Sequence, residues 1–381
     1  MKLKKFLATL VSAAMLITAA SCSSADTTTD GAVKVGVIHI GDPADGSGYS
    51  YTHDIGIVEM QNNLGLDDSQ IVRKINISDG DTAATKTAIE ECIAEGCNII
   101  FGTSYGYMDT MEALAAEYPE VYFSHGTGYK SNETNFNNYF GRIYQARYLA
   151  GIAAGLKTTT DKVGYVAAYG TELAETCSGI NAFALGVQAV NPDAVVYVKT
   201  LSSWFDPANE TAYSEALIEL GCDVIAQHCD TANPQVVAQN AGVFGCGYNS
   251  DMTAQAPAAH LVAPIFNWGV YYTAAVEAVQ NGTWAELGNY YEGINTGLVG
   301  VSPVSANCAE NTQKYIDAVT ELMKSGEWDV FSGVALSFDA DGNVVKTESP
   351  LLDNTGAAVP AVDDATITGS MNYFVKGVEL A

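Results

Sequence analysis

From Val33 onward, apolar residues fall into short continuous runs, separated by segments in which they recur every three or four positions. A continuous apolar run of four to eight residues marks a strand covered on both faces, whereas the wider spacing marks an amphipathic helix. On that pattern, strands are predicted over 33–40, 71–77, 98–102, 121–124, 162–167, 195–200, 223–227, 242–245 and 260–266. Helices such as 85–95 and 211–220 fall between them. Strand and helix in alternation predict α/β architecture with doubly wound parallel sheets.

Two stretches of the chain resemble one another. Residues 88–100 and 213–225 each carry a helical spacing of apolar side chains, then a glycine (Gly96, Gly221), then a cysteine and a buried strand. A glycine just beyond a helix supplies the left-handed turn that ends it. Both helices are preceded by acid, Asp79-Gly80-Asp81 and Asp206-Pro207, and the second pairs an N-cap with proline at the first helical position. The same unit about 125 residues apart predicts two similar lobes.

The first thirty-odd residues read differently. Lys2, Lys4 and Lys5 precede an apolar run from Phe6 to Ala20, too short to span a bilayer comfortably, and Ala19-Ala20-Ser21-Cys22 closes it. Small residues before a cysteine resemble the bacterial lipobox, with Ala19 where leucine is usual. This resemblance implies a signal peptide over 1–21, lipidation of Cys22 and a disordered tether over 22–32. The mature protein is then held at the extracytoplasmic face of the cell membrane. The rest is expected to divide into a lobe of 33–143 with about 267–300, and a lobe of 144–266 with about 301–381.

Without the three signal lysines, 14 basic residues stand against 44 acidic ones. That balance argues against nucleic acid and anionic membrane surfaces as partners. Seven cysteines besides Cys22, widely spaced and with no Cys-x-x-Cys, argue against a disulfide framework and against structural zinc. Phosphate-cradling glycine loops are missing, because serine stands at the third glycine position after Gly126-x-Gly128 and Gly245-x-Gly247. No cofactor or metal is expected. Asp339-Ala340-Asp341-Gly342-Asn343 lacks the spacing of a calcium loop and reads as a hairpin turn.

In such sheets, ligands bind beyond the carboxyl ends of the strands. Most of the segments there carry a Tyr, Trp or Phe with Asp, Asn, Ser or His beside it, which suits a cleft that stacks a flat ring and hydrogen-bonds its edges. One segment also matches G-x-S-x-G: Gly102-Thr103-Ser104-Tyr105-Gly106 follows a strand and precedes a helix, and Asp230 and His260 lie downstream. A hydrolase reading through Ser104 is weakened by its early position and by the lack of an upstream oxyanion loop.

Longer motifs carry a family resemblance. Gly48-Tyr49-Ser50-Tyr51-Thr52-His53-Asp54, Phe101 to Asp109, His125-Gly126-Thr127-Gly128-Tyr129-Lys130 and Trp204-Phe205-Asp206-Pro207 are similar to segments of the basic membrane protein family of transporter lipoproteins. So are Arg147-Tyr148-Leu149-Ala150-Gly151, Gln227-His228-x-Asp230, Gly247-Tyr248-x-Ser250-Asp251-Met252, Asn267-Trp268-Gly269-x-Tyr271-Tyr272 and Tyr373 to Val378. The resemblance implies a type I periplasmic-binding fold, two lobes joined by crossover hinges, acting as a receptor for an ABC permease without chemistry of its own. It implies a purine ligand: adenine, hypoxanthine, guanine or a nucleoside. Gly46-Ser47-Gly48-Tyr49-Ser50-Tyr51 replaces the usual Asp-x-Ser-Phe-Asn loop, and Asn267-Trp268 replaces a lysine that helps hold ribose, so the chain looks more like the purine-base branch.

On that resemblance, Tyr51 and Trp204 are expected to face each other across the cleft and sandwich the base, with Trp268 closing a third side. Asp109, Asp230 and Asp251 are expected to accept from ring or exocyclic N–H groups, with Ser104, His53, His228 and Asn267 filling the remaining positions. A sensor that passes ligand state to a membrane partner, and a hydrolase using Ser104, stay open as alternatives.

Overall fold

The computed structural model describes residues 33–347 and 350–381, so the predicted signal segment, the tether and Cys22 lie outside the described residues. The first five strands are β1 (Val35–Ile38), β2 (Ile71–Lys74), β3 (Ile99–Gly102), β4 (Tyr122–Gly126) and β5 (Phe136–Gly141). Then come β6 (Lys162–Ala167), β7 (Val195–Thr200), β8 (Val224–Gln227), β9 (Phe244–Cys246), β10 (Pro264–Phe266), β11 (Tyr290–Glu292) and β12 (Val299–Val301). The C-terminal segment adds β13 (Ala335–Phe338), β14 (Val344–Thr347), β15 (Leu351–Leu352), β16 (Ala358–Val359) and β17 (Val378–Leu380).

Two parallel sheets result, ordered β11-β5-β4-β3-β1-β2 and β17-β7-β6-β8-β9. In each lobe the first strand lies between the second and third, and the fourth flanks the third. The two resembling stretches occupy equivalent places. Helix α2 (Thr82–Ala94, counting α1 as Gly48–Leu64) joins second strand to third in one lobe, and Pro207–Glu219 does so in the other. Their starts and ends follow the sequence: Asp81 and Asp206 accept from backbone N–H groups three residues on, and Gly96 and Gly221 take φ of 91° and 98°. The aspartate-rich turn is also a hairpin turn, between β13 and β14, with Gly342 at φ 76°.

Strand membership shows three crossings between the sheets, after β5, after β9 and after β11. The first runs into α4 if the helices are continued in order as α3 (Met108–Glu117), α4 (Ile143–Lys157) and α5 (Ala174–Val190). Helices α4 and α5 pack closely, because a β-carbon at Gly151 would strike the Phe183 carbonyl oxygen and one at Gly186 the Tyr148 carbonyl oxygen. Tyr148, Leu149, Phe183 and Val187 from these helices are buried with Val163, Val196 and Val224 of the second sheet.

Strand β5 was not foreseen because Asn137 and Asn138 interrupt its apolar pattern. Asn137 is buried nonetheless; it donates to the Gly288 carbonyl at 2.8 Å and accepts from the Tyr271 hydroxyl at 3.2 Å. The run 260–266 yields only the short strand β10, which pairs antiparallel with β12 at the crossings rather than joining a main sheet.

Candidate functional site

The carboxyl ends of the two sheets bring one surface of each lobe together. Register aligns Ile38 with Gly102 and Gly102 with His125 in the first sheet, and Ala167 with Thr200 in the second. The loops that follow therefore emerge at a common edge of each sheet, and the lobes meet there. The Gly48 N–H donates to Ser250 Oγ at 3.3 Å, Thr52 Oγ1 donates to the Asn249 carbonyl at 3.1 Å, and the Gln255 amide donates to the Gly46 carbonyl at 3.3 Å.

Tyr49 enters this junction from the first turn of α1. Its hydroxyl donates to the Thr103 carbonyl and its ring meets His53 edge-on, with centroids 4.4 Å apart. Burial, then Tyr139, Asp230, Tyr248 and Glu175 in that order, raise its pKa; three of those four groups belong to the second lobe. Behind it lies a sealed aromatic wall. His53 shares a 2.6 Å hydrogen bond with the Tyr272 hydroxyl, which shares one of 2.9 Å with Tyr139. Trp268 is 1% exposed and lies flat between His53, at 4.6 Å, and Phe266, at 4.3 Å.

The second lobe contributes acid and another ring. Trp204 is half-buried, edge-on to both His228 and Tyr169 at 5.8 Å, and its carbonyl accepts from the Asp230 N–H at 2.9 Å. Asn249, at φ 65°, donates its side-chain amide to Asp230 at 3.1 Å. Burial, with the charges of Glu175 and Glu210, pushes the Asp230 carboxyl up to about 8. Burial likewise pushes Glu175 up to about 7, against the pull of Arg147. Glu175 lies 3.7 Å from His228 Nε2, and His228 is held well below its usual pKa by burial and by Arg147.

Arg147 is buried on α4. One terminal nitrogen donates to the Tyr165 hydroxyl at 2.6 Å and to the Gln227 carbonyl at 3.2 Å, and the guanidinium covers the Tyr248 ring at 4.0 Å. Among the described residues its Nε and Nη2, His228 Nε2 and Asn249 Oδ1 have no hydrogen-bond partner, although buried polar atoms are almost always paired. The junction thus offers Tyr49 from one lobe and, from the other, Trp204 bonded to Asp230 and the two carboxyl groups pushed up to about 8 and about 7. A carboxyl that carries a proton donates, and one that has lost it accepts, so such a site can match a flat heterocycle whose rim has both kinds of group.

Of the residues expected at the site, Trp204, His228 and Asp230 come together in the second lobe, and His53 with Trp268 in the first. Others sit elsewhere. Tyr51 is half-buried in the same turn as Tyr49 and has no ring partner among the described residues. Asp109 is 81% exposed and pairs with Lys130 at 2.9 Å. Asp251 caps its own turn through the Thr253 N–H at 2.9 Å and lies 3.4 Å from His260. Asn267 donates to the Gly297 carbonyl at 2.7 Å, bracing a crossing. The Ser104 hydroxyl donates to Asp79 at 2.7 Å; the nearby imidazole, His125, bonds to the Ser104 carbonyl at 2.8 Å rather than to the hydroxyl. Sequence reasoning missed Tyr49, Glu175 and Arg147 as site residues. Tyr49 and Arg147 each lie in a motif that resembles the family's, and Glu175 stands in the first turn of the helix that follows β6, where an acid has a reason to be.

Comparison with known proteins gives the family and the fold. Residues 32–331 match the family described as ABC transporter substrate-binding protein, PnrA-like. A purine-binding protein of Brucella abortus is 35% identical over 347 residues, covering 91% of this chain and 93% of its own. A putative ABC transporter glucose-binding protein of Haloferax volcanii is 33% identical over 314 residues, covering 82% and 78%. Among solved structures, an ABC transporter solute-binding protein of Conexibacter woesei superposes with a TM-score of 0.65 at 20% identity, over 78% of this chain and 98% of that one, a likeness of fold.

Proposed function

The chain belongs to the PnrA-like family of ABC transporter substrate-binding proteins, and from that premise we propose that it captures a purine base or nucleoside between its lobes and delivers it to an ABC permease. What supports the reading is that Tyr49 of one lobe lies near enough to Asp230 and Glu175 of the other for their charges to raise its pKa, and that the Trp204 carbonyl accepts from the Asp230 N–H. Stacked rings contribute about 0.5–1.5 kcal/mol each beyond the area they bury. Carboxyl groups held partly protonated pair with the alternating donors and acceptors of a purine rim, and a ligand without them leaves buried polar groups unpaired. The relative named for purine supports the same ligand class.

Tyr49 takes the place in this reading that the family resemblance suggested for Tyr51, and Trp268 supports the wall rather than touching the ligand. Among the described residues no helix is long and apolar enough to cross a membrane. Attachment through a lipid on Cys22 would keep the receptor beside its permease.

The test uses protein lacking residues 1–22, with mass spectrometry of any ligand retained through purification. Calorimetry against adenine, hypoxanthine, guanine, adenosine, inosine and glucose follows. Binding of at least one purine, weakened strongly in Tyr49→Ala and Trp204→Ala, is expected. Binding of glucose with indifference to every purine would overturn the proposal.

A further inference from the structure

The contact that brings the lobes together turns on one missing side chain. Gly48 has φ 82°, and a β-carbon there would be driven into the carbonyl oxygen of Asp230 in the opposite lobe. That oxygen belongs to backbone, so it cannot swing away as the end of a flexible side chain would. The same turn makes the junction's hydrogen bonds: the Gly48 N–H to Ser250 Oγ, and Thr52 Oγ1 to the Asn249 carbonyl. Two residues earlier, Gly46 has nearly the same backbone, φ 73°, yet a β-carbon there meets nothing within 4 Å. The two glycines therefore separate conformational need from close approach.

We propose that Gly48 sets how far the lobes close: lacking a side chain, it lets the first turn of α1 seat on the Asp230 carbonyl, which brings Tyr49 to its working distance from the acid pair. Gly48 is thus a positioning residue, acting through Tyr49 and Asp230 rather than on the ligand. The inference rests on the two-lobe capture proposed above, but the clasp itself can be tested without any ligand.

Closure is read first in the unliganded protein. Gly46→Cys and Gln255→Cys stand on opposite sides of the clasp, and a short bifunctional thiol reagent joins them only when the lobes meet. Adding Gly48→Ala is expected to slow that cross-link about ten- to hundredfold, the range for forcing a methyl group into a filled contact. An unchanged rate overturns the proposal, whatever the ligand proves to be.

Adenine and hypoxanthine are the probes for the second arm. Gly48→Ala should weaken whichever one binds by a similar factor, and Gly46→Ala, strained in φ but meeting no opposing atom, should weaken it much less. Equal losses in both variants would assign the effect to left-handed backbone strain and defeat the idea. A wild-type protein that ignores purines while the cross-link responds as expected sinks the ligand reading and leaves the clasp intact. Should Gly48→Ala not fold, Thr52→Val serves: it keeps the shape, removes the hydroxyl donated to Asn249, and is expected to slow the cross-link about three- to tenfold. An unchanged rate in that variant counts against the clasp.

Discussion

At the scale of single residues, the acid pair has a consequence for pH. In an unfolded chain, a carboxyl group titrates near about 4. In the fold, burial holds Glu175 protonated up to about 7 and Asp230 up to about 8. The folded state therefore binds more protons than the unfolded one across that window, and their contribution to stability declines as the pH rises from about 4 to about 8. Asp54 and Asp223 are shifted the other way, so their contribution is lost only as the pH falls below the ordinary carboxylate range. Asp230→Asn should flatten the dependence of melting temperature on pH between 5 and 8, and an unaltered slope would refute the assignment. The two rings also have a measurable worth. Burying a ring is worth about 1.5–3 kcal/mol, and stacking adds about 0.5–1.5. Tyr49→Ala and Trp204→Ala should each weaken ligand binding by about thirty- to a thousandfold, measured by calorimetry. At this scale the sequence was legible where residues follow a strand directly, as Trp204, His228 and Asp230 do. Glu175 and Arg147 come from helices; an acid in a first helical turn is ordinary, and nothing in either local pattern says that they face His228 and Tyr248.

Individual elements followed their local chemistry closely. Asp206 caps its helix through the Asn209 N–H at 3.1 Å and also holds the Asn209 amide at 2.6 Å. Asp206→Ala should lower the midpoint of chemical denaturation and leave the ligand site in place. Helices α4 and α5 are a different case. Gly151 and Gly186 let two backbones touch, so alanine at Gly186 forces the helices apart. A loss of about 1–3 kcal/mol is expected for Gly186→Ala by denaturant titration. An unaffected midpoint would mean that the crossing relaxes without strain. Strand β5 shows the limit of reading elements from apolar runs. Asn137 looks like a loop residue until Tyr271 and Gly288, more than a hundred positions away, supply its hydrogen bonds.

Over the whole molecule, the C-terminal segment matters more than its place outside the family match at residues 32–331 implies. Leu336, Leu351, Phe374 and Val378 from it are buried, and β17 pairs with β7 at what would otherwise be a bare sheet edge. A chain ending at Phe331 is expected to lose cooperative thermal unfolding and to aggregate; a soluble truncation with the parent melting temperature would contradict this. The helix caps and the hairpin turn were determined by the sequence alone, because each depends on spacing, capping and turn chemistry within about a dozen residues. The two-lobe plan was legible as a repeat of one such unit, although the helices begin three or four residues before 85 and 211. Which tyrosine meets His53 and the Thr103 carbonyl, and which tryptophan is buried between His53 and Phe266, were decided only in the tertiary structure. Tyr49 and Tyr51 share one helical turn and one chemistry, and they differ by the direction in which that turn presents them. That direction is set by contacts with Asp230, Asn249 and Ser250, some two hundred residues distant in the chain, which no local pattern encodes.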